Sequence, residues 1–144
     1  MRLRPYTDTD ESAVIELWKT CGLVFPQNDP KKDIARKMTE HPELFIIGEI
    51  AGEIIASCMA GYEGHRGWIN YLAVHPDEQR QGFATELIRE AQRLLSGLGC
   101  PKINLQIRST NLEVISFYEK LGFVEDHVRC FGLRLEHDDE WQTG

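Results

Sequence analysis

The chain has 144 residues, of which 42% are hydrophobic and 27% charged, and its formal net charge is −7. That length suits a single domain, residues 1–144, able to bury about 68–70% of its unfolded surface. The acidic balance argues against a nucleic-acid partner, whose phosphates demand a basic face. The start, Met1-Arg2-Leu3-Arg4-Pro5 followed by polar sequence, does not read as a signal peptide, and no apolar run is long enough to span a bilayer. The expectation is a cytoplasmic protein with no membrane partner. Cys21, Cys58, Cys100 and Cys130 are widely spaced, with no C-x-x-C pair and no histidine at ligand spacing. Reduced structural thiols and no metal are therefore expected.

In chain order, Leu3 to Pro5 suits a short strand. Asp8-Thr9-Asp10-Glu11 then supplies a cap and first-turn acids for a helix that runs to about Cys21 and ends at Gly22. Ala13, Val14, Leu17 and Trp18 fall on one face of it. Leu23 to Pro30 reads as an irregular loop, followed by a helix from Lys31 or Lys32 to about Glu40. Leu44 to Ile50 and Glu53 to Tyr62 flank a two-residue turn, Ala51-Gly52, as an antiparallel hairpin. A glycine-rich turn, Gly64-His65-Arg66-Gly67, leads into a strand from Trp68 to Val74, which Pro76 ends.

The clearest element follows. Ala84, Leu87, Ile88, Ala91, Leu94, Leu95 and Leu98 hold strict one-face spacing, and Gly97 and Gly99 stop the helix. Ile103, Leu105 and Ile107 alternate as a strand, Leu112 to Leu121 reads as a helix, and Val124 to Leu135 can supply one or two closing strands. The whole is α/β of the α+β kind: one mixed, mostly antiparallel sheet with flanking helices, in which the crossover from Trp68 to Ile107 makes its two strands parallel neighbours.

Between a strand and that strongest helix stands Gln79-Arg80-Gln81-Gly82-Phe83-Ala84. The first N–H groups of a helix lack intrahelical partners and carry the positive end of its dipole, so they attract anions. Gly82 lets the backbone come close, Ala84 leaves room, and Arg80 with the amides of Gln79 and Gln81 adds donors. An ordinary strand-to-helix turn would also account for the glycine. No G-x-x-x-x-G-K-[ST] and no G-x-G-x-x-G is present, which excludes the two best-known phosphate loops.

The pattern [QR]-x-x-G-x-[GA] in Gln79–Ala84 resembles the GNAT superfamily of Gcn5-related N-acetyltransferases. Asn111-Leu112-Glu113-Val114-Ile115-Ser116-Phe117-Tyr118-Glu119-Lys120-Leu121-Gly122-Phe123 is similar to a second signature of that family. Gly64–Gly67 and Gly99-Cys100-Pro101-Lys102-Ile103 look more narrowly like small bacterial members of the YpeA type. The resemblance implies acetyl-coenzyme A as cosubstrate, with pyrophosphate in the loop and first helical turn, Gln79, Arg80, Gln81, Gly82, Phe83, Ala84 and Thr85. It implies that the parallel strands splay apart and that pantetheine pairs with the strand through Leu72, Ala73 and Val74, in the manner of an added strand. Tyr118 is implied as the general acid for the departing thiolate, although spacing alone also suits a core aromatic. Asn111 doubles as helix N-cap and coenzyme A contact.

The base is open. Relatives place a carboxylate where this chain has Tyr71 and Gln106, leaving Glu63, Glu49 and His65 as candidates. The region around Trp18, Phe25, Pro26, Asn28 and Asp29 is implied to line the acceptor pocket, and the two aromatics suit plain packing as well. The acidic surplus at Glu136 to Glu140 suits a solvated tail or the steering of a cationic amine. The expected activity is acetyl transfer to a small-molecule or peptide amine by direct attack in a ternary complex; a catalytically inactive acyl-coenzyme A sensing module is the alternative, and a homodimer stays open.

Overall fold

A computed structural model describes residues 1–138. Five strands, β1 (Arg2–Pro5), β2 (Phe45–Ile50), β3 (Glu53–Tyr62), β4 (Gly67–Val74) and β5 (Ile103–Asn104), form one sheet in that spatial order. The first three pairings are antiparallel and the last is parallel. A parallel neighbour requires a crossover, which α3 (Phe83–Gly97) supplies. The β2–β3 hairpin turns at Ala51 and Gly52, whose φ of 51° and 82° match the twist of the flanking strands.

Two apolar layers cover the sheet. On one face, Leu87, Ile88, Ala91 and Leu95 of α3 pack on Ile46, Cys58, Ala60 and Ile69, joined by Tyr118 of α4 (Leu112–Lys120). On the other, Val14, Leu17 and Trp18 of α1 (Glu11–Thr20) and Ile34 of α2 (Pro30–Lys37) pack on Phe45, Ile47 and Met59. The Asp10 carboxylate fixes the entry of α1. It accepts the Thr7 N–H at 2.9 Å and both terminal nitrogens of Arg4 at 2.7 and 2.9 Å, a bidentate pair stronger than a single contact.

α2 is shorter than its sequence suggests and begins earlier. Asp29 caps it by accepting the Lys31 N–H, and Pro30 occupies the first turn, where no N–H is needed. At the other end the Thr39 hydroxyl donates to the Arg36 carbonyl at 2.7 Å, and the helix stops at Lys37 rather than near Glu40.

The second half departs further from expectation. β5 covers only Ile103 and Asn104 instead of reaching Ile107, and Val124 to Leu135 forms no strand among the described residues. A strand needs a neighbour, and alternation supplies only one face of the requirement. β4 and β5 pair at Gly67↔Ile103 and Trp68↔Asn104 and then diverge, so Leu105 to Arg108 has no ladder. Val124, Val128, Phe131, Leu133 and Leu135 stand between 79% and 91% exposed. That segment is tied by its polar groups instead: Arg134 donates to the Gln27 carbonyl at 2.7 Å and to the Asn28 side chain at 2.8 Å.

The tail is likewise more than a solvated acidic run. Asp138 is buried and accepts from both Arg36 terminal nitrogens at 3.1 Å and from the Asp29 N–H at 3.1 Å. Asp139 and Glu140 lie outside the described residues.

Candidate active site

The site begins with a slip in β4. Met59 pairs with Asn70 and Ser57 with Ala73, so Cys58 faces two residues, Tyr71 and Leu72. This extra residue is a β-bulge, and Tyr71 occupies it with φ of 49°. Because side chains alternate with period two, the slip changes which face each one meets. Ile69 packs with α3, whereas Tyr71 and Ala73 pack with α1. The bulge is held from below: the Trp18 indole donates to the Ser57 hydroxyl at 2.9 Å, which donates to the Tyr71 carbonyl at 3.0 Å. Trp18 and Ser57 are fully buried, so Trp18 is a core aromatic that supports the site.

Past the bulge, the edge of β4 that faces β5 carries no ladder partner after Trp68. Leu72, Ala73 and Val74 form that open edge. A 3-10 turn at Pro76–Glu78 leads into the glycine loop, where Arg80 and Gly82 adopt φ of 63° and 83°. α3 starts at Phe83, and its first backbone bond is Glu86 N–H to the Gly82 carbonyl at 3.0 Å. The N–H groups of Phe83, Ala84 and Thr85 therefore have no acceptor within the helix. A Cβ built at Gly82 would meet nothing within 4 Å, and the Arg80 guanidinium has no ion pair or hydrogen bond with another described residue. The two glutamines are engaged locally: Gln79 donates to the Val74 carbonyl at 3.2 Å and Gln81 to Glu78 at 3.0 Å. They shape the loop, while its open donors are backbone groups and Arg80.

Tyr118 sits on α4 with its ring edge-on to Phe117 and Phe123, at 5.0 and 5.3 Å between centroids. Burial raises its phenol above the ordinary tyrosine value, which keeps it protonated at neutral pH. It lines a cleft of about 1420 Å³ bounded by β5, α4 and the 123–131 segment. That cleft does not include the Gln79–Thr85 loop or Leu72–Val74; only Tyr118 belongs to both the cleft and the proposed cosubstrate contacts. Asn111 caps α4, its side chain accepting the Val114 N–H at 3.3 Å.

The three base candidates lie apart from the bulge. Glu63, in the β3–β4 turn, accepts the N–H groups of His65 and Arg66, and those bonds hold its carboxyl below the ordinary range. His65 is an exposed member of the same turn. Glu49 is paired with Arg2 at 3.3 Å and Arg4 at 3.2 Å. Gln106, at the second usual carboxylate position, donates to the Cys130 sulfur.

The α1–α2 face of the sheet holds residues that sequence reading missed. The Tyr71 hydroxyl donates to Asp33 of α2 at 2.6 Å. The Tyr71 ring stacks on Trp18, 3.8 Å between centroids and 12° from parallel. Burial, and then the Asp33 bond, raises the Tyr71 phenol well above its ordinary value. The other Asp33 oxygen accepts from Arg36 at 3.0 Å. Arg36 also holds Asp138, whose carboxyl it pulls down to about 2, and Glu136 at 3.2 Å. Of the residues expected to line the pocket, Asp29 is anchored to this network through its N–H to Asp138, Asn28 accepts from Arg134, and Phe25 lies 5.1 Å below the Arg108 guanidinium. Asp33 and Tyr71 are 38 positions apart, and nothing local in either segment signals the pairing.

A splayed parallel strand pair, a bulge within the splayed stretch and an open helix entry after it define an acyltransferase architecture. The profile of the acetyltransferase (GNAT) family matches residues 11–123. An acetyltransferase of Sodalis glossinidius (strain morsitans) is 46% identical over 142 residues, covering 98% of this chain and 100% of the relative. The chain belongs to the acetyltransferase (GNAT) family of acyltransferases. Among solved structures, the fold is similar to an aminoglycoside 6′-N-acetyltransferase of Acinetobacter haemolyticus, with a TM-score of 0.75 and 18% identity over 94% of this chain and 100% of that one. It is also similar to the ribosomal-protein-S18-alanine N-acetyltransferase of Escherichia coli, with a TM-score of 0.73 and 23% identity over 86% and 77%.

Proposed function

We propose that the protein is a single-domain N-acetyltransferase that moves acetyl from acetyl-coenzyme A to a primary amine by direct attack in a ternary complex. The observation that carries this is the open entry of α3 beside the open edge of β4: unpartnered N–H groups at Phe83, Ala84 and Thr85, an uncommitted Arg80, and free space at Gly82. These features fit a pyrophosphate. Acetyl-coenzyme A would be held there, along Leu72, Ala73 and Val74, and at Asn111 beside Tyr118, and it supplies an activated acyl thioester.

The chain's own groups divide the remaining work. Backbone N–H groups on the open β4 edge stabilise negative charge on the thioester oxygen, and one such donor typically lowers a barrier by about 3 kcal/mol. Tyr118 delivers a proton to the departing sulfur. An aliphatic amine with a pKa near 10.4 must lose a proton to attack, and Glu63, in the turn before β4, is engaged with backbone. The fold neighbours named above are named for acceptors as different as an aminoglycoside antibiotic and an alanine of ribosomal protein S18, so both small-molecule and peptide amines belong in the test. The reading as a silent sensing module is favoured by Tyr71 and Gln106 standing where carboxylates are usual. Calorimetric titration with acetyl-coenzyme A, followed by thiol release across a panel of primary amines, separates the two. Binding with turnover supports the enzyme; binding without turnover for every amine overturns it in favour of the sensor.

A further inference from the structure

Tyr71 and Asp33 form the shortest side-chain contact on the α1–α2 face of the sheet, and the proposed mechanism leaves one task unassigned: where the amine's proton goes. Tyr71 immediately precedes Leu72–Val74, the edge assigned to the thioester, and the bulge turns its side chain to the α1–α2 face. The ring is clamped by the Trp18 stack, and the backbone by Ser57. The hydroxyl is therefore aimed by the stack and by the backbone bond, and it donates its only proton to Asp33 at 2.6 Å. A phenol that donates in this way keeps acceptor capacity on its oxygen.

We infer that Tyr71 and Asp33 form the proton path for the acceptor amine, with Tyr71 touching the amine and Asp33 as the terminal acceptor behind it. The inference rests on the acetyltransferase reading. One ammonium proton first passes to the Tyr71 oxygen while the phenolic proton passes to Asp33 Oδ2, which frees the nitrogen lone pair. As that lone pair forms the C–N bond and the C–S bond breaks, the thiolate takes its proton from Tyr118, and the acylated nitrogen sheds its second proton to water. Water then restores the Tyr118 proton, and Asp33, 23% exposed at its side chain, returns the proton it took. Phenol and carboxylate together replace the carboxylate that relatives place directly at the Tyr71 position.

The surrounding charges suit this task. Arg36 bonds the far oxygen of Asp33 and is shared with Asp138 and Glu136, while Lys32 lies 3.9 Å from Asp138. Arg36 orients Asp33 from the side away from Tyr71, and the other two carboxylates share the same guanidinium. Tyr71 is the phenol that faces Asp33 from the sheet, and its raised pKa leaves it protonated through neutral and mildly basic pH.

The test uses Asp33→Asn, Tyr71→Phe, the double variant and Asp33→Glu. Acetyl-coenzyme A affinity is measured by calorimetry, and kcat and KM from pH 7 to 9.5 by thiol release with amines that wild type accepts. Each single variant is expected to lower kcat at pH 7 by about 10²-fold, within the usual worth of general base catalysis, with cosubstrate affinity within twofold of wild type. The double variant should lose no more than the worse single one, because both act in one path. The deficit should shrink at least tenfold by pH 9.5, as the free amine fraction rises, and Asp33→Glu should recover part of the loss. Losses that multiply, or a deficit independent of pH, would overturn the path and leave a structural role. A wild type that turns over while both single variants match it sinks the path alone; a wild type that binds acetyl-coenzyme A and releases no thiol with any amine sinks the acetyltransferase reading together with it.

Discussion

Tyr118 is the residue on which the proposed chemistry turns, and its surroundings make the test clean. The ring's edge-on contacts with Phe117 and Phe123 do not involve the hydroxyl. Tyr118→Phe should therefore keep its packing, with melting temperature and acetyl-coenzyme A affinity close to wild type, while kcat falls by roughly 10²-fold to 10⁴-fold. A purely structural phenol predicts the reverse: a loss of about 1 kcal/mol in stability with turnover intact. Tyr71 carries the same ambiguity at the sequence level, since an aromatic in a strand is ordinarily core. Its φ of 49° marks the difference, because a bulky side chain adopts that region only where the surrounding structure enforces it.

At the scale of elements, the entry of α3 combines a glycine demanded by backbone geometry with space that the fold leaves open. Two substitutions at Gly82 separate these demands. Both alanine and glutamate meet the strain of φ 83°, which costs about 1–2 kcal/mol for a residue with a Cβ. Only glutamate adds negative charge in front of the free N–H groups. Gly82→Ala should melt lower yet bind acetyl-coenzyme A within a few fold of wild type, whereas Gly82→Glu should weaken binding by well over tenfold; equal affinities for the two, read by calorimetry, would remove the phosphate assignment. The start of β4 shows a different glycine requirement. A Cβ at Gly67 would lie 2.8 Å from Cys100 Sγ and 3.1 Å from a Leu95 methyl, where the chain entering β5 crosses the strand. Gly67→Ala should cost about 1–3 kcal/mol by overpacking, read as a lowered denaturant midpoint.

Across the whole molecule, charge acts in two ways. The Arg4–Asp10 pair ties β1 to α1, and the guanidinium holds the Asp10 carboxyl below its ordinary range. A carboxyl depressed in the folded state contributes stability that is complete above its unfolded value, near 3.9, and is lost as pH falls toward the folded value. Arg4→Met keeps the stem and removes the partner, so its melting temperature should lie furthest below wild type at neutral pH, with the gap closing as pH falls below about 4. A gap that does not change with pH would mean that the pair contributes through packing alone. The net charge of −7 acts at longer range. If it steers a cationic acceptor, kcat/KM should fall as salt rises with kcat nearly constant; flat salt dependence would leave the surface charge as a solubility feature.

The sequence by itself determined the elements that local chemistry specifies: the α3 stripe, the Ala51-Gly52 hairpin, the Gly82 loop and the Asn111 cap, each set by residues within a few positions of one another. It also carried the family, because both motifs are contiguous. It misread what depends on a distant neighbour. Phe131, Leu133 and Leu135 alternate as a strand would, but alternation cannot say whether a ladder partner is in reach, and among the described residues none pairs with them. The bulge at Tyr71 is a mismatch of register between two strands and exists only once they pair. That one-residue slip sends Tyr71 to the α1–α2 face and Ile69 to the α3 face, and so only the tertiary structure brought Tyr71 against Asp33, 38 positions away. Period-two geometry is the reason: inserting one residue on one strand reverses every side chain beyond it.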